Sequence, residues 1–344
     1  MKISSIFNNK PIVVAELSGN HENSRKKIKT LIHQAKKCNV DAIKIQTFHA
    51  NRVTINSSRK NFIIQKGLWK GKKLFDLYKK SQISLNLIET VFKECHDNNI
   101  ICFSSVSDPE DVDFLEDLNN PIYKIGSFEN NYVQLLEKVA ETGKPVIMST
   151  GLASLSEISY AVDTLKKNGC ESLMLLKCTS NYPSDSKFSN ILTIPHMEKI
   201  FKCEIGISDH TIGIGSAVAA ISHGATLIEK HFTLSKNDDG VDSSFSMNPK
   251  EMKLLVDTVR QASISLGKVF YGPSENEKDS LFFRRSIYIV DDMKKGDIFD
   301  KTNIDIIRPG NGIEPKEYQS FLGKSINCDV RRGTPLSWDH LNPD

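Results

Sequence analysis

The chain of 344 residues is long enough for one large domain or two unequal ones, and its 39% hydrophobic and 25% charged content is ordinary for a globular enzyme. A net charge of only +3 excludes a whole-chain electrostatic case for nucleic acid or a membrane surface. Seven cysteines without a CxxC pair read as reduced thiols of a cytoplasmic protein, the opening residues lack the apolar run of a signal peptide, and no apolar run is long enough to span a bilayer.

Short apolar runs alternate with longer amphipathic stretches. "PIVVAEL" (11–17) reads as a buried strand, followed by a helix with Ile28, Leu31, Ile32 and Ala35 on one face. "AIKIQTF" (42–48) is the second strand, followed by a polar insertion and a helix through "LIETVFKECHDN". Six further runs, 100–106, 122–127, 145–150, 172–180, 203–210 and 226–232, each precede a helical stretch. The last helix places Met252, Leu255, Val256 and Val259 on one face. Near-continuous apolar strands are buried on both faces, as parallel strands are. Eight such strand–helix units predict an α/β protein, a (β/α)₈ TIM barrel over 1–270. An open doubly wound sheet is weakened by the lack of a GxGxxG after the first strand. A polar linker (271–285) then leads to a small second domain (286–344) of short strand-like pieces and turns.

Barrel enzymes build their sites at the C-terminal strand ends. Two adjacent strands here end in His210 and His231. Paired imidazoles suit a divalent metal with open positions; the alternative is two hydrogen-bonded structural histidines. Ser105, Ser127, Ser149, Ser180 and Ser208 sit at successive strand ends, with Lys44 and Lys124 nearby. Hydroxyls and ammonium groups together suit a phosphate, whereas single serines also serve as helix caps. Glu22, in the turn "GNHE", is a candidate general base or a carboxylate favoured by a helix N-terminus. The lysine-rich insertion 49–83 reads as a solvated loop or as a lid over an anionic substrate. Arg308 stands in the turn "RPGNGI".

The motifs "VVAELSGNHENS", "IKIQTF", "YKIGSFEN", "MSTGLAS", "LLKCTSNYP", "GISDHTIGIG", "IEKHFTL", "GVDSSFSM", "FRRSIYIV" and "RPGNGI", in this order, resemble the sialic acid synthase family over nearly the whole chain. Within it, "LKCTSNYP" and "GVDSSFS" are similar to the pseudaminic acid synthases. The resemblance implies a transferase of surface glycan biosynthesis. It would condense phosphoenolpyruvate with an N-acetylated amino sugar to a nonulosonic acid and phosphate. The pseudaminic branch uses 2,4-diacetamido-2,4,6-trideoxy-altrose; the alternatives are legionaminic and N-acetylneuraminic acid synthases, or a non-catalytic sugar-binding protein.

The resemblance also implies a TIM barrel followed by an antifreeze-like (SAF) domain, a domain-swapped homodimer, and a divalent metal, Mn²⁺ with Mg²⁺ or Co²⁺ as alternatives. Carried over by position, His210 and His231 would hold the metal and Glu22 would be the catalytic acidic residue, activating the water. Lys44, Ser105, Lys124, Ser127, Ser149, Ser180 and Ser208 would bind phosphoenolpyruvate. Gln46, Tyr182 and Asp242 would face the sugar, and Arg308 would serve the partner's site. "SSVS" (104–107) stands where the family usually reads "STPF". Ser105 keeps a hydroxyl, but the missing Pro and Phe imply a looser loop at the pocket wall.

Overall fold

The structure, a computed structural model, describes residues 2–7 and 11–342. The chain divides into two compact units, Met1–Gly267 and Lys268–Asp344.

The first unit contains a closed barrel of eight parallel strands in sequence order. They are β1 (Ile12–Glu16), β2 (Ala42–Thr47), β3 (Ile101–Val106), β4 (Tyr123–Ile125), β5 (Val146–Ser149), β6 (Leu173–Cys178), β7 (Glu204–Ser208) and β8 (Leu227–His231). The helices are α1 (Arg25–Lys37), α2 (Ala50–Val53), α3 (Leu74–Ser81), α4 (Leu85–Asp97), α5 (Pro109–Asp117), α6 (Val133–Glu141), α7 (Leu155–Lys167), α8 (Thr193–Phe201), α9 (Gly215–Ser222) and α10 (Pro249–Ser265). All eight expected strands form, and β1 closes the barrel by pairing with β8 from Ile12↔Leu227 to Glu16↔His231.

The two-residue period of a strand sorts the side chains into two cores. Val13, Ala15, Ile43, Ile45, Ile125, Met148, Leu175, Ile207 and Ile228 point outward and pack beneath the helices. Ile28, Leu31, Ile32 and Ala35 of α1 and Met252, Leu255, Val256 and Val259 of α10 are the buried faces that meet them, as their helical spacing predicts. Burying one such side chain is worth about 1.5–3 kcal/mol. Helix starts are marked chemically: Ser154 and Asn248 each form a capping box, with Glu157 and Glu251 respectively.

The alternate positions point into the barrel. Ile12, Val14, Ala42, Phe103, Ile122, Ile147, Met174, Leu176 and Leu227 fill its lower part, and a 3-10 helix (Ile3–Ile6) contributes Ile3. Continuing the same parity upward changes the chemistry to Glu16, Lys44, Gln46, Ser105, Lys124, Ser149, Cys178, Ser208, Glu229 and His231. The apolar plug is what makes the barrel a packed core with a floor.

The second unit carries an antiparallel pair, β9 (Ser286–Ile289) and β10 (Ile304–Ile307), around a core of Ile287, Ile289, Met293, Phe299, Ile304, Phe321, Ile326 and Leu336. The stretch read from sequence as a linker contains a 3-10 helix, Glu275–Phe283.

Candidate active site

The inner residues above the plug open into a cavity of about 390 Å³. Its floor and sides include Lys44, Gln46, Ser105, Lys124, Ser127, Ser149, Tyr182, Ser208, His210, His231 and Asp242. The structure therefore brings together most of the residues expected from the strand ends.

Strand register accounts for the grouping. Glu16 lies opposite Lys44, Gln46 opposite Ser105, Ser105 opposite Lys124, and Ser208 opposite Glu229. Lys44 pairs closely with Glu16 and lies 3.7 Å from Glu229. Burial lowers the lysine's affinity for its proton, but the two carboxylates more than restore it. Lys124 is held differently: Nζ donates to Ser149 Oγ at 2.7 Å and to the Ile125 carbonyl at 3.0 Å. Burial depresses its pKa. A bound anion would give this ammonium group the close charge partner that a hydroxyl and a carbonyl do not.

The hydroxyl shelf is built around Gly151. Ser127 Oγ accepts a hydrogen bond from Gly151 N at 3.1 Å. A β-carbon at Gly151 would stand 2.6 Å from Ser127 Oγ and closer still to Ser180 Oγ. Ser180 lies just behind the cavity wall, with its Oγ 3.6 Å from Cys178 Sγ. Asn130 clamps the β5 end by donating to the carbonyls of Ser149 and Gly151.

The imidazoles of His210 and His231 have ring centroids 5.3 Å apart. His210 Nδ1 lies 3.1 Å from the Thr179 carbonyl, which assigns it the proton and leaves Nε2 as an acceptor. His231 Nδ1 is buried and has no hydrogen-bond partner among the described residues. Burial, then the neighbouring His210, push the His231 pKa well below the usual imidazole value, so one ring nitrogen keeps a free lone pair at neutral pH. His210 thus has the carbonyl-oriented ring of a metal-ligating imidazole, and His231 offers a second, unpaired ring beside it. No group of three or more His, Cys, Asp or Glu is arranged for a metal among the described residues. The pair therefore fits an ion whose remaining positions are filled by water or substrate.

Tyr182 packs against His210 at 4.3 Å between centroids and reaches Trp69 at 5.9 Å. Asp242 accepts a close hydrogen bond from Ser18 Oγ, and its carboxylate lies 3.9 Å from His231 Nδ1. Cys178, also on the wall, has a thiol that burial pushes up but the His210 imidazole pulls down to about 7.

Glu22, expected as the catalytic residue, does not line this cavity, and Arg308 was expected to serve a partner's site instead. Glu22 is in left-handed backbone (φ 51°) and its carboxylate pairs with Lys27 at 2.6 Å. It borders a separate depression with Gly19, Asn23, Lys80 and Asp239. Gly19 backs onto Ser81 and Val241, which line the main cavity. The ion pair with Lys27 is absent from any sequence pattern. Arg308 lies in the second unit, exposed, ahead of a cis Pro309.

Other site residues carried no distinctive sequence signal. Glu129 was visible only as one polar residue after the fourth strand. It lines the cavity, and burial pushes its carboxyl up to about 7 against the pull of Lys124 and Lys44. The insertion 49–83 is neither fully polar nor fully solvated. It forms α2, a short 3-10 turn and α3, and it turns Val53, Ile64, Trp69, Leu74, Leu77 and Tyr78 toward the cavity. Ser104 to Val106 of "SSVS" lie within β3, and Ser104 Oγ is 2.7 Å from Thr47 Oγ1.

Comparison with known proteins places these features in a family. The NeuB family pattern matches residues 31–271, and the SAF domain pattern matches residues 284–342. The pseudaminic acid synthase of Campylobacter jejuni serotype O:2 is 38% identical over 98% of both chains. The N,N'-diacetyllegionaminic acid synthase of the same bacterium is 34% identical, over 92% of this chain and 95% of its own. The crystal structure of the spore coat polysaccharide biosynthesis protein spsE of Bacillus subtilis superposes with a TM-score of 0.65, at 29% identity, over 97% of this chain and 95% of that one.

Proposed function

The chain belongs to the NeuB family, and from that premise we propose that it is a pseudaminic acid synthase. It would condense phosphoenolpyruvate, 2,4-diacetamido-2,4,6-trideoxy-altrose and water to pseudaminic acid and phosphate. The observation that carries the chemistry is one cavity holding a buried lysine bonded to a serine hydroxyl, a shelf of serine hydroxyls and two imidazoles.

In this reading Lys124, Ser127, Ser149 and Ser180 hold the phosphate, with Lys44 and Ser208 beside them and Ser105 completing the wall. A divalent ion on His210 and His231, Mn²⁺ with Mg²⁺ or Co²⁺ as alternatives, would polarise the aldehyde of the open-chain sugar. The phosphate shelf orients carbon 3 of phosphoenolpyruvate toward that aldehyde, so that one carbon–carbon bond forms. Water adds at carbon 2, and phosphate leaves with cleavage of the carbon–oxygen bond. Glu129 is the carboxyl that the geometry offers for the proton taken from water, since it faces the cavity and titrates near neutrality. Glu22, the position implied by family resemblance, would have to leave Lys27 to take that role. Gln46, Tyr182 and Asp242 would face the sugar.

A homodimer in which Arg308 serves the partner's site is part of the same reading. It is supported by Phe128, Leu152, Phe188 and Ile212, exposed apolar side chains beyond the ends of β4 to β7, around the barrel mouth. No helix among the described residues is long and apolar enough to cross a membrane. Synthesis from phosphoenolpyruvate, a cytoplasmic metabolite, suits a cytoplasmic enzyme.

The test is phosphate release from phosphoenolpyruvate with Mn²⁺, offering the altrose sugar, its legionaminic-type counterpart and N-acetylmannosamine in parallel. Release with the altrose sugar alone supports the assignment. Preference for another sugar keeps the reaction and moves the chain to another branch. No release from folded, metal-supplied protein leaves a sugar-binding protein. For the dimer, Arg308→Ala mixed with a site-dead protein should regain activity in verified heterodimers; no rescue would count against the shared site.

A further inference from the structure

The cavity has two chemically different halves. The half toward the strand ends is polar and charged, as described. The half facing it is supplied by the 49–83 insertion and is mainly apolar, with Tyr78 and Ser81 as its polar residues. Val53 on α2, Ile64, Trp69, and Leu74 and Leu77 on α3 turn side chains into the space. Apart from Leu77, these are only partly buried, so they are not simply the packed interior of the insertion. They present apolar surface to whatever occupies the cavity.

The polar groups at this end are largely committed to the protein itself. The Ser81 hydroxyl donates back to the Leu77 and Tyr78 carbonyls of its own helix. Trp69 Nε1 donates to the Val241 carbonyl at 3.4 Å. A sugar bearing a free hydroxyl here would exchange its water for aliphatic carbon with few partners, which is unfavourable. A methyl group would gain contact without that loss.

The two halves are held at a fixed distance. Tyr182 spans them, with its ring 4.3 Å from His210 on one side and 5.9 Å from Trp69 on the other. A substrate whose aldehyde lies at the imidazoles therefore extends its far carbons past Tyr182 toward the apolar wall.

We infer that the 49–83 insertion is the specificity element of this enzyme: Val53, Ile64, Trp69 and Leu74 select an amino sugar whose far end carries methyl groups, from a deoxy terminal carbon and N-acyl substituents, over one ending in hydroxyls. This rests on the synthase reading, and it assigns substrate choice to residues outside the barrel strands. Apolar pockets reject an added hydroxyl by a factor of about 10². That is the discrimination expected here between a terminally deoxygenated substrate and a hydroxylated one.

The experiment measures kcat/KM of the purified full-length protein for the deoxy diacetamido sugar and for N-acetylmannosamine, in wild type, Val53→Thr and Leu74→Asn. Both substitutions keep the number of side-chain heavy atoms and add a hydrogen-bonding group. Each should lower the deoxy-to-hydroxy ratio by about tenfold, while the KM for phosphoenolpyruvate stays within about twofold. Thermal unfolding of each variant confirms that it is folded, and one folded variant suffices for the comparison. An unchanged ratio in a folded, active variant overturns the inference and leaves the synthase reading standing. Wild-type protein that turns over no sugar at all overturns both.

Discussion

Lys230 Nζ lies 2.6 Å from Asp209 Oδ2, with both side chains almost wholly buried, one residue ahead of His231 and of His210 respectively. Each points to the outer face of its strand while the histidine points inward. Lys230 also donates to the Thr211 carbonyl, and Asp209 accepts from Thr211 N. The pair therefore ties the ends of β7 and β8 together behind the two imidazoles. Removing one partner strands a buried charge. Lys230→Met should cost about 3–5 kcal/mol of stability and weaken Mn²⁺ binding, while the Lys230→Met/Asp209→Asn double variant should be less unstable. Denaturant unfolding and a metal titration check this; equal stability of wild type and the single variant would dismiss the tie.

Glu129 predicts a pH signature. Its folded pKa is raised to about 7 from an ordinary 4.5, mainly by burial. The neutral form is thus favoured in the folded state. The associated stability is fully present below the unfolded value and is lost as pH rises through about 7. Relative to Glu129→Gln, the wild type should lose stability between about pH 4.5 and 7, and only the wild type should show a turnover limb near 7. Parallel unfolding curves across that range would mean that Glu129 titrates as an ordinary carboxyl.

Gly151→Ala tests the hydroxyl shelf without touching a charged group. The new methyl would displace the Ser127 and Ser180 hydroxyls, which can rotate aside, and press on the Ser127 β-carbon at 3.1 Å. The fold should survive, and kcat/KM for phosphoenolpyruvate should fall by about 10–100-fold, the worth of one or two hydrogen bonds to a charged group. Unaltered kinetics would show that these hydroxyls do not meet the phosphate.

Metal removal should stop turnover while leaving the barrel folded, because among the described residues the paired imidazoles are the group suited to an ion and they line a cavity rather than support the core. Dialysis against a chelator, circular dichroism and re-addition of Mn²⁺ check this. His231→Gln should lose the Mn²⁺ rescue. Full activity in chelator would remove the ion from the reading.

Sequence by itself determined the architecture. Eight apolar runs of strand length, spaced by amphipathic helices, leave little but a closed parallel barrel, because both strand faces must be covered. The two-residue period also determined which strand residues share the inner face, so Lys44, Lys124, Ser149, Ser208 and His231 were legible as one group from their strand-end positions.

Only the tertiary structure decided what depends on distant partners. Glu22 follows the sequence pattern but pairs with Lys27, which also holds Asp238 from a loop over two hundred positions later. Glu129 gained its raised pKa from burial, which no local motif encodes. The insertion 49–83 looked polar because its lysines dominate its composition, yet Val53, Ile64, Trp69, Leu74 and Leu77 line the cavity once α2 and α3 form, while Ile55 and Leu68 stay exposed. Periodicity acts over a few residues and can be read from the chain; charge pairing, burial and the closing of one segment over another act across it and cannot.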